Sequence, residues 1–199
     1  MKRSIILALI GGMLISCVPS STDTMNQAST IQTIQTRVSV RQFTGEKISQ
    51  EQINTLLRCA MSAPSALNKQ PWAFIVITED SLLQALGQQF PNSRCGNQPA
   101  IAIIPCGDLS KALEGPAQDF WVNDLSAATE NILLAAHAMG LGAVWTGIHP
   151  DQARCQELQT FLQLPEHIVP LCIVPVGVPA EQPAVKDKYN EQNIHYNGY

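Results

Sequence analysis

The sequence predicts a mixed α and β domain, a sheet flanked by helices. Two apolar runs, Ala73–Thr78 and Pro99–Cys106, are short, continuous and bounded by loop-forming residues, as buried strands are. Between and around them, apolar residues recur at spacings of three and four, which predicts helices that separate the strands. The length is 199 residues with 45% hydrophobic and 14% charged side chains, the balance of one globular domain with a substantial core.

The elements follow in order. Thr30–Thr36 carries Ile31 and Ile34 at helical spacing, a short first helix. Ser49 with Gln52 three residues on is a capping-box signature, and Ile53, Leu56, Leu57 and Ala60 share one face of the helix that follows. That helix stops before Pro64. Residues 63–72, APSALNKQPW, form a rigid loop rich in hydrogen-bonding groups ahead of the strand Ala73–Thr78. A helix starts at Asp80 or Ser81, a polar loop covers 88–98, and the second strand is Pro99–Cys106. Residues 110–118 are a brief loop. Asp119–Met139 is the longest helix, apolar around most of its girth, so it is expected to be central and covered by its own domain and a partner chain. Gly140 fits its C-cap. Ala143–Thr146 is a short strand, Asp151–Leu162 a helix, and Val169–Val178 a strand broken by Pro170 and Pro175. The tail from Ala180 is polar and aromatic without periodicity.

The first residues read as a leader. Lys2 and Arg3 precede an apolar stretch, Ile5–Ile15, too short to span a bilayer as a helix. It runs into Ser16-Cys17, which is similar to a bacterial lipobox, with Cys17 the lipidated first residue of the mature chain. An ordinary secretory signal with an incidental Cys17 is the alternative. The expected organisation is a lipoprotein signal peptide at 1–16, a tether at 17–29 and the folded domain at 30–199 with a C-terminal arm. Its expected place is the cell envelope, facing periplasm or exterior. Cys59, Cys95, Cys106, Cys155 and Cys172 show no CxxC pair. Cys95 and Cys106 are one candidate disulfide; Cys59, Cys106 and Cys172 read as small core residues.

Several chemistries find no support. A net charge of −4 without a basic tract argues against nucleic acid. Gly140-Leu141-Gly142 follows a helix and precedes a strand, the reverse of a dinucleotide-binding turn. No phosphate loop or nucleophile elbow is present. The four histidines are scattered, so no metal is expected, and His137 reads as a satisfied core residue. In an extended R-V-S-V-R segment, Arg37, Ser39 and Arg41 share one face. That face is either an anion site or a solvated charged edge. Lys186 and Lys188 repeat the two-residue spacing. Asn68 and Gln70 offer donors and acceptors to a heterocycle, and Trp72 and Trp145 are apolar walls or core. A chain with these parts and no nucleophile or metal borrows its chemistry from an organic cofactor.

Together R-V-S-V-R-Q-F (37–43), A-P-S-A-L-N-K-Q-P-W (63–72), A-A-H-A-M-G-L-G-A-V-W-T-G (135–147) and K-D-K-Y (186–189) resemble the FMN-dependent nitroreductase family over residues 30–190. The resemblance implies an α+β fold with a central mixed β-sheet flanked by helices, in an intertwined homodimer with FMN at its interface. Arg37, Ser39 and Arg41, joined by Lys186 and Lys188, would hold the phosphate and ribityl chain. Pro64, Ser65, Ala66 and Asn68 would reach the isoalloxazine from the other subunit, and backbone at Trp145, Thr146 and Gly147 would face its N5 side. The implied activity moves electrons from NAD(P)H, or another donor, to a nitroaromatic, quinone or similar small acceptor by a ping-pong mechanism, with no catalytic side chain. A non-catalytic flavin- or ligand-binding envelope lipoprotein is the competing expectation. An envelope location also separates the enzyme from cytoplasmic NAD(P)H.

Overall fold

The computed structural model of the chain describes residues 30–199. The predicted leader, the tether and Cys17 lie outside those residues. The described helices are α1 (Thr30–Thr36), α2 (Gln50–Met61), α3 (Asp80–Gln89), α4 (Phe120–Ala138) and α5 (Gln152–Leu162). The strands are β1 (Trp72–Ile77), β2 (Ile101–Asp108), β3 (Gly142–Ala143), β4 (Thr146–Gly147), β5 (Ile168–Pro170) and β6 (Cys172–Gly177). No helix among the described residues is long and apolar enough to cross a membrane.

Local chemistry sets the helix ends. Ser49 Oγ accepts from the Gln52 N–H at 3.1 Å, and Gln52 Oε1 accepts from the Ser49 N–H at 2.8 Å, a complete capping box. The α2 face of Ile53, Leu56 and Ala60 is buried, as the spacing predicts. Asp151 caps α5 by accepting from the Arg154 N–H. After α4, Gly140 takes φ +73°, the left-handed conformation that ends a helix.

β2 and β6 are buried along their whole length and lie side by side at the centre of the sheet, in the order β1-β2-β6-β3. Their alternating side chains feed two cores. Ile101, Ile103, Val174 and Val176 pack with α2 and α4 on one face; Ala102, Ile104, Cys106 and Ile173 pack with α3 and α5 on the other. Every strand pairing among the described residues is antiparallel, so the sheet is not mixed as expected.

Strand ends differ from the sequence reading for identifiable reasons. β2 starts at Ile101 and runs on to Asp108, because Gly107 pairs with both Trp72 and Val169. The expected strand 143–146 is instead two pairs, Gly142–Ala143 and Thr146–Gly147, both on β6 in one register. The gap falls opposite Pro175, which has no N–H to donate. Pro175 itself lies inside β6, and the break expected there occurs at Leu171. Cys106 pairs with Pro170, but the β2–β6 register places Pro105 opposite Cys172, so Leu171 is one extra residue, a β-bulge. Its carbonyl accepts from both Ile148 and His149 N–H groups. No disulfide joins Cys95 and Cys106; all five described cysteines are free, and four of them are buried. His137 is satisfied but half-buried at the edge of α4, not in the core.

Candidate functional site

The segment 37–43 is irregular, and the fold fixes it from both sides. Val40 is buried, and its N–H donates to the Ala143 carbonyl at 3.0 Å. Phe43 is buried and bridges to Pro179; the Ala180 N–H donates to Gln42, and the Arg41 N–H to Glu181 Oε1 at 2.7 Å. With Val40 turned inward, Arg37, Ser39 and Arg41 line a cleft of about 710 Å³. Lys186 and Lys188, from the far end of the chain, line its other side. The fold therefore brings the five anion-binding candidates of the sequence into one place.

The cleft is positive. Arg37, Arg41, Lys186 and Lys188 face only Glu130 and Asp187 as counter-charges along its lining. Arg37 gives its Nε to Glu130 Oε1 at 3.1 Å. This single contact leaves the terminal nitrogens of the guanidinium for another oxygen. Arg41 Nη1 reaches the Ser39 carbonyl at 3.3 Å, and among the described residues neither it nor the two lysines has a carboxylate at ion-pair distance. Next to Arg37, Thr36 Oγ1 and His137 Nε2 share a hydrogen bond at 2.9 Å. Burial, aided by the Arg37 charge, pushes the His137 pKa down, so the imidazole adds little positive charge at neutral pH.

The loop 64–71 is a separate feature. A short 3-10 turn at Ala66–Asn68 is closed by bonds from the Asn68 N–H to the Ser65 carbonyl and from the Lys69 N–H to the Ala66 carbonyl. Ser65 Oγ accepts from the Gln70 N–H, and the Gln70 side-chain amide donates to Asn68 Oδ1. Leu67, Asn68 and Gln70 all have φ near +50°, where a Cβ is disfavoured. Backbone in this region costs conformational energy that the surrounding contacts must offset. Asp124 of α4, buried at 6% exposure, accepts from the Ala66 N–H at 2.8 Å.

The turn Trp145–Gly147 is the third piece. Thr146 Oγ1 donates to the Ile173 carbonyl at 2.7 Å, Trp145 packs on the α4 side of the core, and Gly147 faces open space. Trp72 also packs there, so both tryptophans serve as core edges. Pro64, Ser65, Ala66, Asn68, Trp145, Thr146 and Gly147 do not line the cationic cleft of their own chain. Sequence reasoning missed Glu130 and Asp124. The available signal was two acids within a helix otherwise rich in small and apolar residues. Among the described residues, no cluster of His, Cys, Asp or Glu could hold a metal ion.

The donor set suits a phosphate ester. Two arginines, a hydroxyl and two lysines converge on a cleft within the usual range for small-molecule sites, about 300–1,000 Å³. Comparison with known proteins gives the rest. The profile of the "Nitroreductase family" matches residues 34–178. A Methanothermobacter thermautotrophicus protein named "Putative NADH dehydrogenase/NAD(P)H nitroreductase" is 37% identical over 172 residues, covering 86% of this chain and 88% of its own. A solved Parabacteroides distasonis protein of the same name superposes with a TM-score of 0.79 at 40% identity, over 85% of this chain and 98% of that one. A Desulfovibrio desulfuricans structure, described as "a putative nitroreductase in complex with FMN", matches with a TM-score of 0.72 at 26% identity, over 86% and 98%.

Proposed function

The chain belongs to the nitroreductase family, and from that premise we propose that it is an FMN-dependent NAD(P)H oxidoreductase acting on nitroaromatics, quinones or similar small acceptors. The observation that carries this reading is the cationic cleft, where Arg37, Ser39 and Arg41 meet Lys186 and Lys188 from the other end of the chain. Bound FMN would supply the redox chemistry, two-electron transfer between NAD(P)H and the acceptor in a ping-pong sequence. The guanidinium ends of Arg37 and Arg41 and the two ammonium groups bind the phosphate, and Ser39 Oγ orients the ribityl chain. Ser65, Asn68 and the backbone of Trp145–Gly147 orient the ring and offer donors to the charge it gains on reduction. No side chain of this protein needs to form a covalent bond.

Pro64, Ser65, Ala66 and Asn68 act from a second copy. Support comes from their absence from the cleft lining and from apolar side chains left exposed on the cleft rim and on the loop: Ile31 and Ile34 on α1, Val185 and Tyr189 on the tail, and Leu67 on the loop. A homodimer covers them and completes the site. The chain is also an envelope lipoprotein anchored through Cys17, a reading supported by the leader pattern at 1–17.

Anaerobic titration of purified, flavin-loaded protein with NADH and NADPH, then with a nitroaromatic or quinone, tests the activity. The visible flavin band should bleach with the nucleotide and return with the acceptor. Protein that takes up no FMN when supplied with it would refute the reading, and flavin that binds but never turns over would reduce it to binding alone. Labelling with a radioactive fatty acid, lost in Cys17→Ala, tests the anchor; equal label in both would refute it.

A further inference from the structure

The geometry points to Asp124 as a positioning residue for the flavin site: its buried carboxylate holds the loop that presents Ser65 and Asn68. This rests on the reading above that the loop meets the flavin. The carboxylate stands on α4 among Trp121, Leu125 and Ala128, which are all buried. No Lys, Arg or His lies at ion-pair distance from it among the described residues. A charge so placed is less favourable than an apolar side chain of the same size, unless it does something the apolar one cannot. What it does here is accept from the Ala66 N–H at 2.8 Å.

The loop needs that contact. Leu67, Asn68 and Gln70 stand in the left-handed region, which residues with a Cβ leave readily when released. The other hydrogen bonds of residues 64–70 stay within the loop or reach its own flank at Trp72. Among the described residues, the Asp124 bond is the one that ties residues 64–70 to another part of the fold; the next anchor is Pro71, whose carbonyl accepts from the Asp108 N–H at 3.0 Å where β1 begins. Ala66 lies between Ser65 and Asn68, so fixing its amide fixes the polar groups on either side. The same helix carries Glu130, which orients Arg37 in the phosphate cleft. One helix thus positions both a phosphate ligand and the ring-facing loop.

The test compares wild type with Asp124→Ala, Asp124→Asn and Ala66→Pro. Affinities for FMN and riboflavin are measured, together with hydrogen exchange at the Ala66 amide. Asp124→Ala should speed exchange at Ala66 and weaken FMN by about ten- to a hundredfold, as the competent loop becomes a minor population. Riboflavin should weaken by the same factor, because the loop serves the ring and not the phosphate. A merely structural role would lower the melting temperature without that matched loss. Asn keeps an acceptor at the same place and should restore most of the affinity. Ala66→Pro removes the donor while Asp124 stays; Ser65 is already extended (φ −139°, ψ 152°), as a residue before proline must be. It should match Asp124→Ala, and it carries the test should Asp124→Ala not fold. Unchanged flavin affinity in Asp124→Ala or Ala66→Pro, or an Asn variant as weak as Ala, would overturn the inference. Wild-type protein that binds neither flavin overturns the flavin reading; that failure is told apart from failure of the Asp124 contact because the Ala66 amide is then still protected in wild type and Asp124→Asn and exposed in Asp124→Ala.

Discussion

Replacing Arg37 by Ala tests the phosphate cleft most directly. Arg37 is mostly buried, with a side chain 18% exposed, and its Nε is already committed to Glu130. On the proposed reading, the remaining guanidinium nitrogens make a charge-assisted contact to the FMN phosphate, of about 1.5–3 kcal/mol. Affinity for FMN should therefore fall by about ten- to a hundredfold. Glu130 is 44% exposed, so water solvates it once its partner is gone and the loss stays near that range. Flavin fluorescence quenching, titrated at several salt concentrations, measures it. Riboflavin is the control: it lacks the phosphate, so its affinity should not change. An unchanged FMN affinity, or equal losses for FMN and riboflavin, would refute the reasoning.

Glu130→Gln keeps an acceptor for Arg37 Nε and removes a negative charge from the cleft, so FMN should bind a few-fold more tightly, an effect that fades with salt; weaker binding would count against the electrostatic account. A Cβ on Gly142 would lie 2.6–3.0 Å from the Val40 side chain, so Gly142→Ala should cost about 1–3 kcal/mol in denaturant unfolding and weaken FMN by displacing Ser39 and Arg41. His137 and His149 both have pKa values lowered from 6.5, by burial first, with Arg37 adding at His137 and Asp119 opposing at His149. The unfolded chain binds protons that these folded imidazoles refuse, so stability should be full above about 6.5 and decline as pH falls through the folded values. A melting temperature flat from about pH 7 to about pH 5 would contradict this, and a His137→Gln, His149→Gln double variant should show the weaker dependence. Burial pushes the Cys95 thiol up to about 11 and Cys106 to about 12, and raises Cys155 and Cys172 too, so an alkylating agent should label half-buried Cys59 well before those four in native protein, as peptide mapping would show.

Helix boundaries were legible because their signals are local. Ser49 with Gln52, Asp151 before α5 and Gly140 after α4 each act within one turn of chain. Strand ends were less so, because they depend on partners. Nothing near Pro99 says that pairing begins at Ile101 and continues through Gly107, and nothing near Val144 says that a proline far along the chain stands opposite. The antiparallel sheet and the Leu171 bulge are registers, and a register belongs to two strands at once. At the site, the two-residue spacing revealed Arg37, Ser39 and Arg41, and the tail lysines repeat it. Asp124 and Glu130 escaped because a helix face is read for its apolar residues. Which apolar-looking face carries a buried acid is decided by what packs on it.

The tie between segment 37–43 and the start of the tail has a consequence for how the protein is made. Arg41 and Glu181 are 140 residues apart. Closing a loop of that length costs about 4 kcal/mol of chain entropy, which the intervening sheet has already met by bringing Phe43 beside Pro179. A growing chain that stops before residue 180 has nearly every strand and helix described here, but only one wall of its phosphate cleft. On the proposed reading, the full cationic set of the cleft exists only once Lys186 and Lys188 have emerged and folded back beside Arg37 and Arg41.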